Sequence, residues 1–277
     1  MVIREILKET SKALSHIDNY MFETHLLVRT VLKMSPMDLV LSHKKEVSVN
    51  DIALIRSYTK RRLSGEPLQY ILGTWEFMGL ELYVEKDVLI PRSDTETLVE
   101  TVLRHLKSGG ATVLDIGCGS GAVGLSLAYL NKRVYLRGVD ISDSALALSK
   151  KNAKKLNLEE RAVFEKFDIL ADIPKGKYDV IVSNPPYIRT DVIPTLMTDV
   201  KDFEPYLALD GGEDGLIFYR RIIGIAPRIL NKGGLLAFEI GFDQGEEVSA
   251  LMEKNFTDIS VIKDLSGNDR VVSGILK

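Results

Sequence analysis

Four residues at the end of one apolar run could do chemistry. In "DVIVSNPPYI" the run from Asp179 to Ser183 delivers Asn184, Pro185, Pro186 and Tyr187 to its carboxyl end. Proline fixes φ and ends a strand, so a turn is expected there. Turns recruit Gly, Asn, Asp or Ser for conformational reasons, and none of those reasons calls for a large aromatic after two prolines. Asn184 offers a side-chain carbonyl that accepts one N–H, and the backbone carbonyl of Pro185 can accept another. Two acceptors so placed would orient a planar NH2 with a delocalised lone pair, and would stabilise positive charge growing on its nitrogen. Tyr187 would give a flat wall against the planar group. The plain alternative is a turn that closes a buried strand.

A second stretch, "TVLDIGCGSGAVGLSLA", reads as strand, glycine turn and helix. Glycines permit positive φ and close backbone approach, and the helix amino terminus offers free N–H groups. Gly119, Gly121 and Gly124 match the dinucleotide pattern G-x-G-x-x-G, with the acid Asp140 ending the following strand. That match by itself does not choose the ligand. Cys118 lies inside the loop with no base near it in sequence, which reads as a spacer rather than a nucleophile.

These motifs need a frame. The chain has 277 residues, 45% apolar and 27% charged, a composition that builds a globular core. A net charge of −3 offers no strong field for a polyanion, and the first 90 residues carry 12 Lys/Arg against 12 Asp/Glu. One cysteine rules out an internal disulfide and suits a reducing cytoplasm. No apolar run reaches the roughly 18 residues of a membrane helix, and the amino terminus lacks the core of a signal peptide.

Residues 1–64 read as a helical domain. Ile3, Ile6, Leu7 and Leu14 are expected on one face, and Phe22, Leu26, Leu27, Val31 and Leu32 on another. Ser35 and Pro36 should open a short helix, and a longer one should stop at Gly65. The basic run Lys60-Arg61-Arg62 reads as a solvated helix face, the alternative being contact with RNA or an acidic surface. Residues 65–91, "LQYILGTWEFMGLELYVEKDVLIP" among them, turn to period two, which predicts a β-hairpin or extended arm.

Residues 92–277 alternate strand and helix, with helices expected between the first five strands. That means a mainly parallel sheet covered on both faces. The last two strands, "ISVIKDL" and "RVVSGILK", are too close for a crossover and must pair antiparallel. Such an α/β sheet of seven strands, parallel except for a terminal antiparallel hairpin, resembles the Rossmann-like fold of S-adenosylmethionine (SAM) methyltransferases.

Under that resemblance, Asp115, two residues before the first glycine, would lie near the amino-acid part of the cofactor. A nicotinamide enzyme would need a proton-transfer group nearby, and the only histidine after residue 91 is His105, outside any strand-end loop. Asp140 can accept both ribose hydroxyls, with Ser142 free to cap the next helix. Asp168 sits where an acid can accept from the adenine amino group, with Ile169 covering the ring; an ordinary turn is the alternative for both. With a methyl sulfonium beside Asn184, the target would be a planar exocyclic or amide nitrogen. The motif does not choose between glutamine, adenine, cytosine and guanine.

Over nearly its whole length the chain resembles one family, the HemK/PrmC glutamine methyltransferases of class 1 peptide chain release factors. The resemblance rests on "GEPLQYILGTWEFMGLELYVEKDVLIPRSDTETLVE", "VLDIGCGSGAVGLSLA", "IVSNPPYI" and "FEPYLALDGGEDGLIFYRRI". Ser93 stands where the family commonly has a proline, and Ile169 where some members carry an aromatic. The resemblance implies methylation of the glutamine of a Gly-Gly-Gln loop at N5, with S-adenosylhomocysteine as the other product, no metal, and a role in translation termination in the cytoplasm. It implies that Gly117, Cys118, Gly119, Ser120 and Gly121 cradle the methionine part of SAM. Asp140 and Ile141 would bind beside the ribose, and Asn184 to Tyr187 would hold the glutamine amide. Arg92, Thr95 and Glu96 would lie near the cofactor or loop entrance, Glu239 and Gln244 would line the pocket, the alternative for these two being ordinary loop polarity, and the helical domain would grip the release factor. Rival readings are an aminomethylase acting on N6 of adenine or another exocyclic amine of nucleic acid, a SAM-binding sensor without turnover, and a nicotinamide dehydrogenase.

Overall fold

The computed structural model describes residues 1–106 and 110–277, which divide into two compact units. The first holds Met1–Thr74 together with Thr198–Phe203. Its helices are α1 (Ile3–Ala13), α2 (Tyr20–Leu32), α3 (Pro36–Leu41), α4 (Val49–Leu63) and α5 (Leu68–Leu72). Ile3, Ile6, Leu14, Leu27, Val28 and Ile55 form its interior. Ser35 and Ser48 cap α3 and α4 by accepting the Asp38 and Asp51 N–H groups, each at 3.1 Å.

Three expectations for this unit are corrected. Phe22 is exposed, because it sits in the first turn of α2, before the buried stretch of Thr24, Leu26, Leu27 and Val28 begins. The basic run is not simply solvated: Arg62 is largely buried against Glu23 at 2.7 Å, and Arg61 pairs with Glu66. Leu68–Leu72, read as part of a period-two arm, is helical and ends at Gly73 with φ +76°.

The second unit holds Trp75–Met197 and Glu204–Lys277. A two-stranded ribbon, β1 (Thr74–Phe77) and β2 (Leu80–Tyr83), turns through Met78 and Gly79, both at positive φ as a two-residue hairpin requires. There follow α6 (Glu96–Leu106), β3 (Ala111–Ile116), α7 (Ala122–Leu130), β4 (Val134–Asp140), α8 (Asp143–Lys155), β5 (Ala162–Lys166) and β6 (Tyr178–Ser183). The chain continues through α9 (Thr198–Lys201), α10 (Ile217–Ile229), β7 (Leu230–Glu239), α11 (Gly245–Met252), β8 (Phe256–Lys263) and β9 (Asp269–Leu276).

The seven-stranded sheet runs β5-β4-β3-β6-β7-β9-β8. The first five strands are parallel, and β9 is antiparallel to both β7 and β8, as the short connection demanded. One apolar layer, with Leu98, Val102, Leu125 and Leu146, joins α6, α7 and α8 to one face; another, with Tyr219, Ile222, Val248 and Met252, joins α10 and α11 to the other. One crossover departs from expectation, for Phe167–Lys177 links β5 to β6 without a helix. The strand order reverses between β3 and β6, because the chain winds outward from β3 to β5 and then returns to β6 on the other side. Such a switch leaves a crevice beyond the carboxyl ends of both strands. Among the described residues, no helix is long and apolar enough to cross a membrane.

Candidate active site

The crevice is a cavity of about 290 Å3. Of the residues expected from sequence at the site, all border it except Gly121, Tyr187, Glu96, Glu239 and Gln244. The glycine loop is folded as its composition requires: Gly117, Gly119 and Gly121 all have positive φ, and Gly121 opens α7. Gly124 serves packing instead. A Cβ there would stand 2.6 Å from Leu136 and 2.9 Å from Asp115 Oδ2, so only glycine lets α7 approach the sheet this closely.

Three acids border the cavity from successive strand ends. Asp115 is buried and accepts the Gly124 N–H at 3.0 Å; burial pushes its carboxyl up to about 7 against that hydrogen bond. Asp140 accepts from the Gly119 and Ser142 N–H groups, both at 2.9 Å, and burial raises its pKa while those amides oppose the rise. Asp168 Oδ1 accepts the Leu170 N–H at 2.9 Å and the Ala171 N–H at 3.4 Å in a tight turn, and Ile169 is buried beside it. Cys118 is buried, and its thiol pKa is pushed well up by burial and then by Asp115 and Asp140, so it stays neutral.

The end of β6 is held from all sides. Ser183 donates to the Ile116 carbonyl at 2.6 Å, locking β6 to β3 just before the turn. Asn184 Nδ2 donates to Thr95 Oγ1 at a long 3.4 Å, so its Oδ1 is the atom left to accept. Residues 188–190 pair with the later segment: Ile188 N–H donates to the Leu209 carbonyl at 3.0 Å and Gly211 N–H to the Ile188 carbonyl at 2.8 Å. Gly211 and Gly215 lie hard against this turn, since a Cβ would stand 2.8 Å from the Pro186 carbonyl oxygen and 2.5 Å from that of Tyr187, respectively. Gln244 completes the clamp, its Nε2 donating to the Tyr187 carbonyl at 3.2 Å and its Oε1 accepting from the Gly241 N–H at 2.9 Å.

The structure separates several residues that sequence had grouped. Tyr187 does not border the cavity, and its hydroxyl donates to Glu239 Oε1 at 3.4 Å. Glu239 and Gln244 lie behind the turn rather than on the lining. Glu96 accepts the Met78 N–H at 2.6 Å and so holds the hairpin turn. Arg92 does border the cavity, with Nη2 2.7 Å from both oxygens of the buried Glu204, and Thr95 borders it too. Much of the apolar lining, including Val88, Ile90, Phe167, Leu207, Phe218 and Ile222, was not named from sequence. Phe167 had a signal, since it directly precedes the strand-end acid Asp168. The others come from three distant segments that only folding brings together.

The sheet order, glycine loop and strand-end acids are those of a Rossmann-like methyltransferase. The methyltransferase small domain model matches residues 93–199, and a PrmC N-terminal domain model matches residues 5–73. A solved methyltransferase from Pyrococcus furiosus shares the fold at a TM-score of 0.55 and 19% identity, over 83% of this chain and 99% of that one. The chain belongs to the release factor glutamine methyltransferase family. It is 45% identical to the Clostridium acetobutylicum release factor glutamine methyltransferase over 98% of this chain and 94% of that one. It is 42% identical to the Clostridium botulinum enzyme of the same name over 98% of both.

Proposed function

We propose that this protein transfers a methyl group from SAM to the side-chain N5 of a glutamine in a class 1 release factor, at its Gly-Gly-Gln loop, leaving S-adenosylhomocysteine. The reaction belongs in the cytoplasm, where termination takes place, and as written it uses no metal ion. One observation carries the reading: Asn184 stands on the cavity wall with its NH2 engaged by Thr95, which leaves a carbonyl oxygen for the incoming amide.

The residues present suit SAM. Carboxyl groups of Asp115, Asp140 and Asp168 border the cavity in the order β3, β4 and after β5. That order matches the ammonium, the ribose diol and the adenine amine along the length of SAM. Gly119 has nothing within 4 Å of where a Cβ would stand, so the loop backbone is open to close approach. When bound, SAM supplies a methyl group on a cationic sulfur, already activated for displacement.

The chain's own residues solve the other half of the problem, an amide nitrogen whose lone pair is delocalised into its carbonyl. Asn184 Oδ1 and the Pro185 carbonyl would each accept one N–H of the glutamine NH2, turning its lone pair out of the amide plane and offsetting the charge that develops on nitrogen. The two prolines aim that carbonyl. Tyr187, turned to Glu239 and away from the cavity, would brace the turn rather than form a wall against the substrate. The methylated nitrogen is acidic and can pass its extra proton to water, so no dedicated base is assigned. Residues 1–64 would grip the release factor.

The test incubates the protein with labelled SAM and either a release factor, its Gly-Gly-Gln to Gly-Gly-Ala variant, or total nucleic acid, followed by peptide mass spectrometry. One added methyl on the glutamine of the unmodified factor alone is expected. Label confined to nucleic acid would overturn the reading.

A further inference from the structure

Asn152 is a buried polar group of the second unit that the transfer as written does not employ. It stands on α8 with 0% of its surface exposed, so its carboxamide must find partners inside the protein. Asparagine favours helix interiors poorly, because its side chain competes for backbone hydrogen bonds. Here it reaches the backbone of two other segments. Asn152 Oδ1 accepts the Tyr83 N–H at 2.7 Å, while Nδ2 donates to the Tyr83 carbonyl at 3.1 Å and to the Ser120 carbonyl at 2.9 Å. One partner is an N–H and two are carbonyls. Only a carboxamide, with one acceptor oxygen and two donor hydrogens, meets all three from this position.

Both segments line the cavity. Ser120 belongs to the glycine loop and borders the cavity itself. Tyr83 ends β2 and leads into Asp87, Val88, Leu89, Ile90 and Pro91, all of which border it. We propose that Asn152 is a positioning residue for the cofactor: its carboxamide holds the glycine loop at Ser120 and the Asp87–Pro91 wall through Tyr83 at one fixed spacing, and so sets the affinity for SAM. The inference rests on the SAM-binding reading and deepens it.

The loop needs such support from outside. A Cβ on Gly117 or Gly119 would meet nothing within 4 Å, so these residues bring no packing of their own. Helix α8 also backs Gly121, where a Cβ would stand 3.2 Å from that of Ser149. The wall is fastened to the same helix. Val88 packs on Ala145 and Leu148, and Glu81 and Glu85 pair with Lys155 and Lys151. Those two ammonium groups lie 4.3 and 4.4 Å from the centre of the Tyr83 ring. These contacts hold the wall to α8 and leave the loop untouched, whereas Asn152 holds both. Without its carboxamide, the Ser120 carbonyl and the Tyr83 peptide group lose their partner, and the two sides of the site can shift against each other. SAM affinity then falls with the fraction of molecules that keep the binding spacing. The Asn184 turn has separate supports, so turnover at saturating SAM stays.

The experiment titrates SAM into wild type, Asn152→Leu, Asn152→Asp and Lys155→Met by calorimetry, and measures kcat at saturating SAM and KM for a release factor. Asn152→Leu removes all three hydrogen bonds, and Asn152→Asp keeps the shape without the NH2. Each should weaken SAM binding about tenfold, the scale of a buried group left without its partner, with kcat and KM for the factor within about threefold. Lys155→Met, which loosens the wall alone, should leave the Kd of SAM within about twofold, because partly exposed ion pairs contribute little. Unchanged SAM affinity in folded Asn152→Leu or Asn152→Asp overturns the proposal, and so does an equal loss in Lys155→Met. Should neither Asn152 variant fold, hydrogen exchange in wild type decides: SAM should slow exchange of the Tyr83 N–H more than that of amides in β8, and equal slowing overturns the proposal. A wild type without affinity for SAM defeats the cofactor reading itself, an outcome distinct from a SAM-binding protein indifferent to Asn152.

Discussion

The carboxyl ends of β3 and β6 lie next to each other in the sheet, and they are built in opposite ways. The β3 end is local. Gly117, Gly119 and Gly121 shape the loop by lacking side chains, and the acid that steadies it, Asp140, comes from the very next strand. The β6 end is assembled from afar. Asn184 is held by Thr95, the Tyr187 carbonyl by Gln244, and the turn is pressed by Gly211 and Gly215 from a long excursion of the chain. The chemistry explains the contrast. Binding a cofactor needs space and free amide groups, which a short loop supplies. Orienting an amide for attack needs an acceptor fixed to a fraction of an ångström, and that requires support from several directions.

The comparison can be broken most directly at Asn184. Asn184→Ala should reduce methyl transfer by about a hundredfold or more, as loss of a preorganised acceptor does, while SAM affinity stays within several-fold. Single-turnover transfer and a binding titration measure the two halves. If both fall together, the two strand ends are not functionally separate.

Glycine substitutions sharpen the contrast next. Gly215 has φ +75° and a Cβ there would stand 2.5 Å from the Tyr187 carbonyl oxygen. Gly215→Ala should therefore cost about 1–3 kcal/mol in stability from backbone strain alone, with the clash displacing the turn and lowering kcat as well. Gly119 also has positive φ, +55°, but open space around it. Gly119→Ala should cost about 1–2 kcal/mol and weaken SAM binding rather than kcat at saturation. Denaturation curves and a kcat-against-Kd comparison distinguish the pair.

Asp140→Asn should act on the cofactor side alone. Weakening hydrogen bonds to a charged acceptor is worth about 1.5–3 kcal/mol, so SAM affinity should fall roughly tenfold or more with little change in saturated turnover. The smallest effect is a dependence on pH. Asp115 has its folded pKa raised to about 7 by burial, above the roughly 3.9 of a free aspartate. Its contribution to stability is therefore present below the ordinary value and is lost as pH rises through about 7. In the absence of SAM, Asp115→Asn should raise the Tm relative to wild type at and above neutrality, and the gain should shrink to little near pH 4, below which the carboxyl is neutral in the folded and the unfolded chain alike. Thermal denaturation at both pH values checks this.

How much was legible follows the same division. The β3 end could be read residue by residue, because glycines at positive φ and an acid at the next strand end are short-range requirements. The parallel sheet with its closing antiparallel pair was also legible, since connection lengths limit which strands can be neighbours. The helix at Leu68–Leu72 was not, because a five-residue apolar stretch fits either period and Gly73 settled it as a helix end. Phe22 misled for a similar reason. Its helix has apolar residues on more than one face, and packing chose the stripe through Thr24 and Leu27.

By itself, the sequence determined the two-part order of the chain, the sheet, the loop that would take SAM and the Asn-Pro-Pro-Tyr turn that would take a planar nitrogen. Local backbone rules and alternating hydrophobicity act over a few residues, and they survive in one dimension. Only the tertiary structure decided that Thr95 holds Asn184, that Glu239 and Gln244 stand behind that turn, that Tyr187 faces Glu239 instead of the cavity, and that Arg62 is spent on Glu23. Those assignments depend on which distant side chains share one small volume, and hydrogen-bond direction has no trace in the order of residues along a chain.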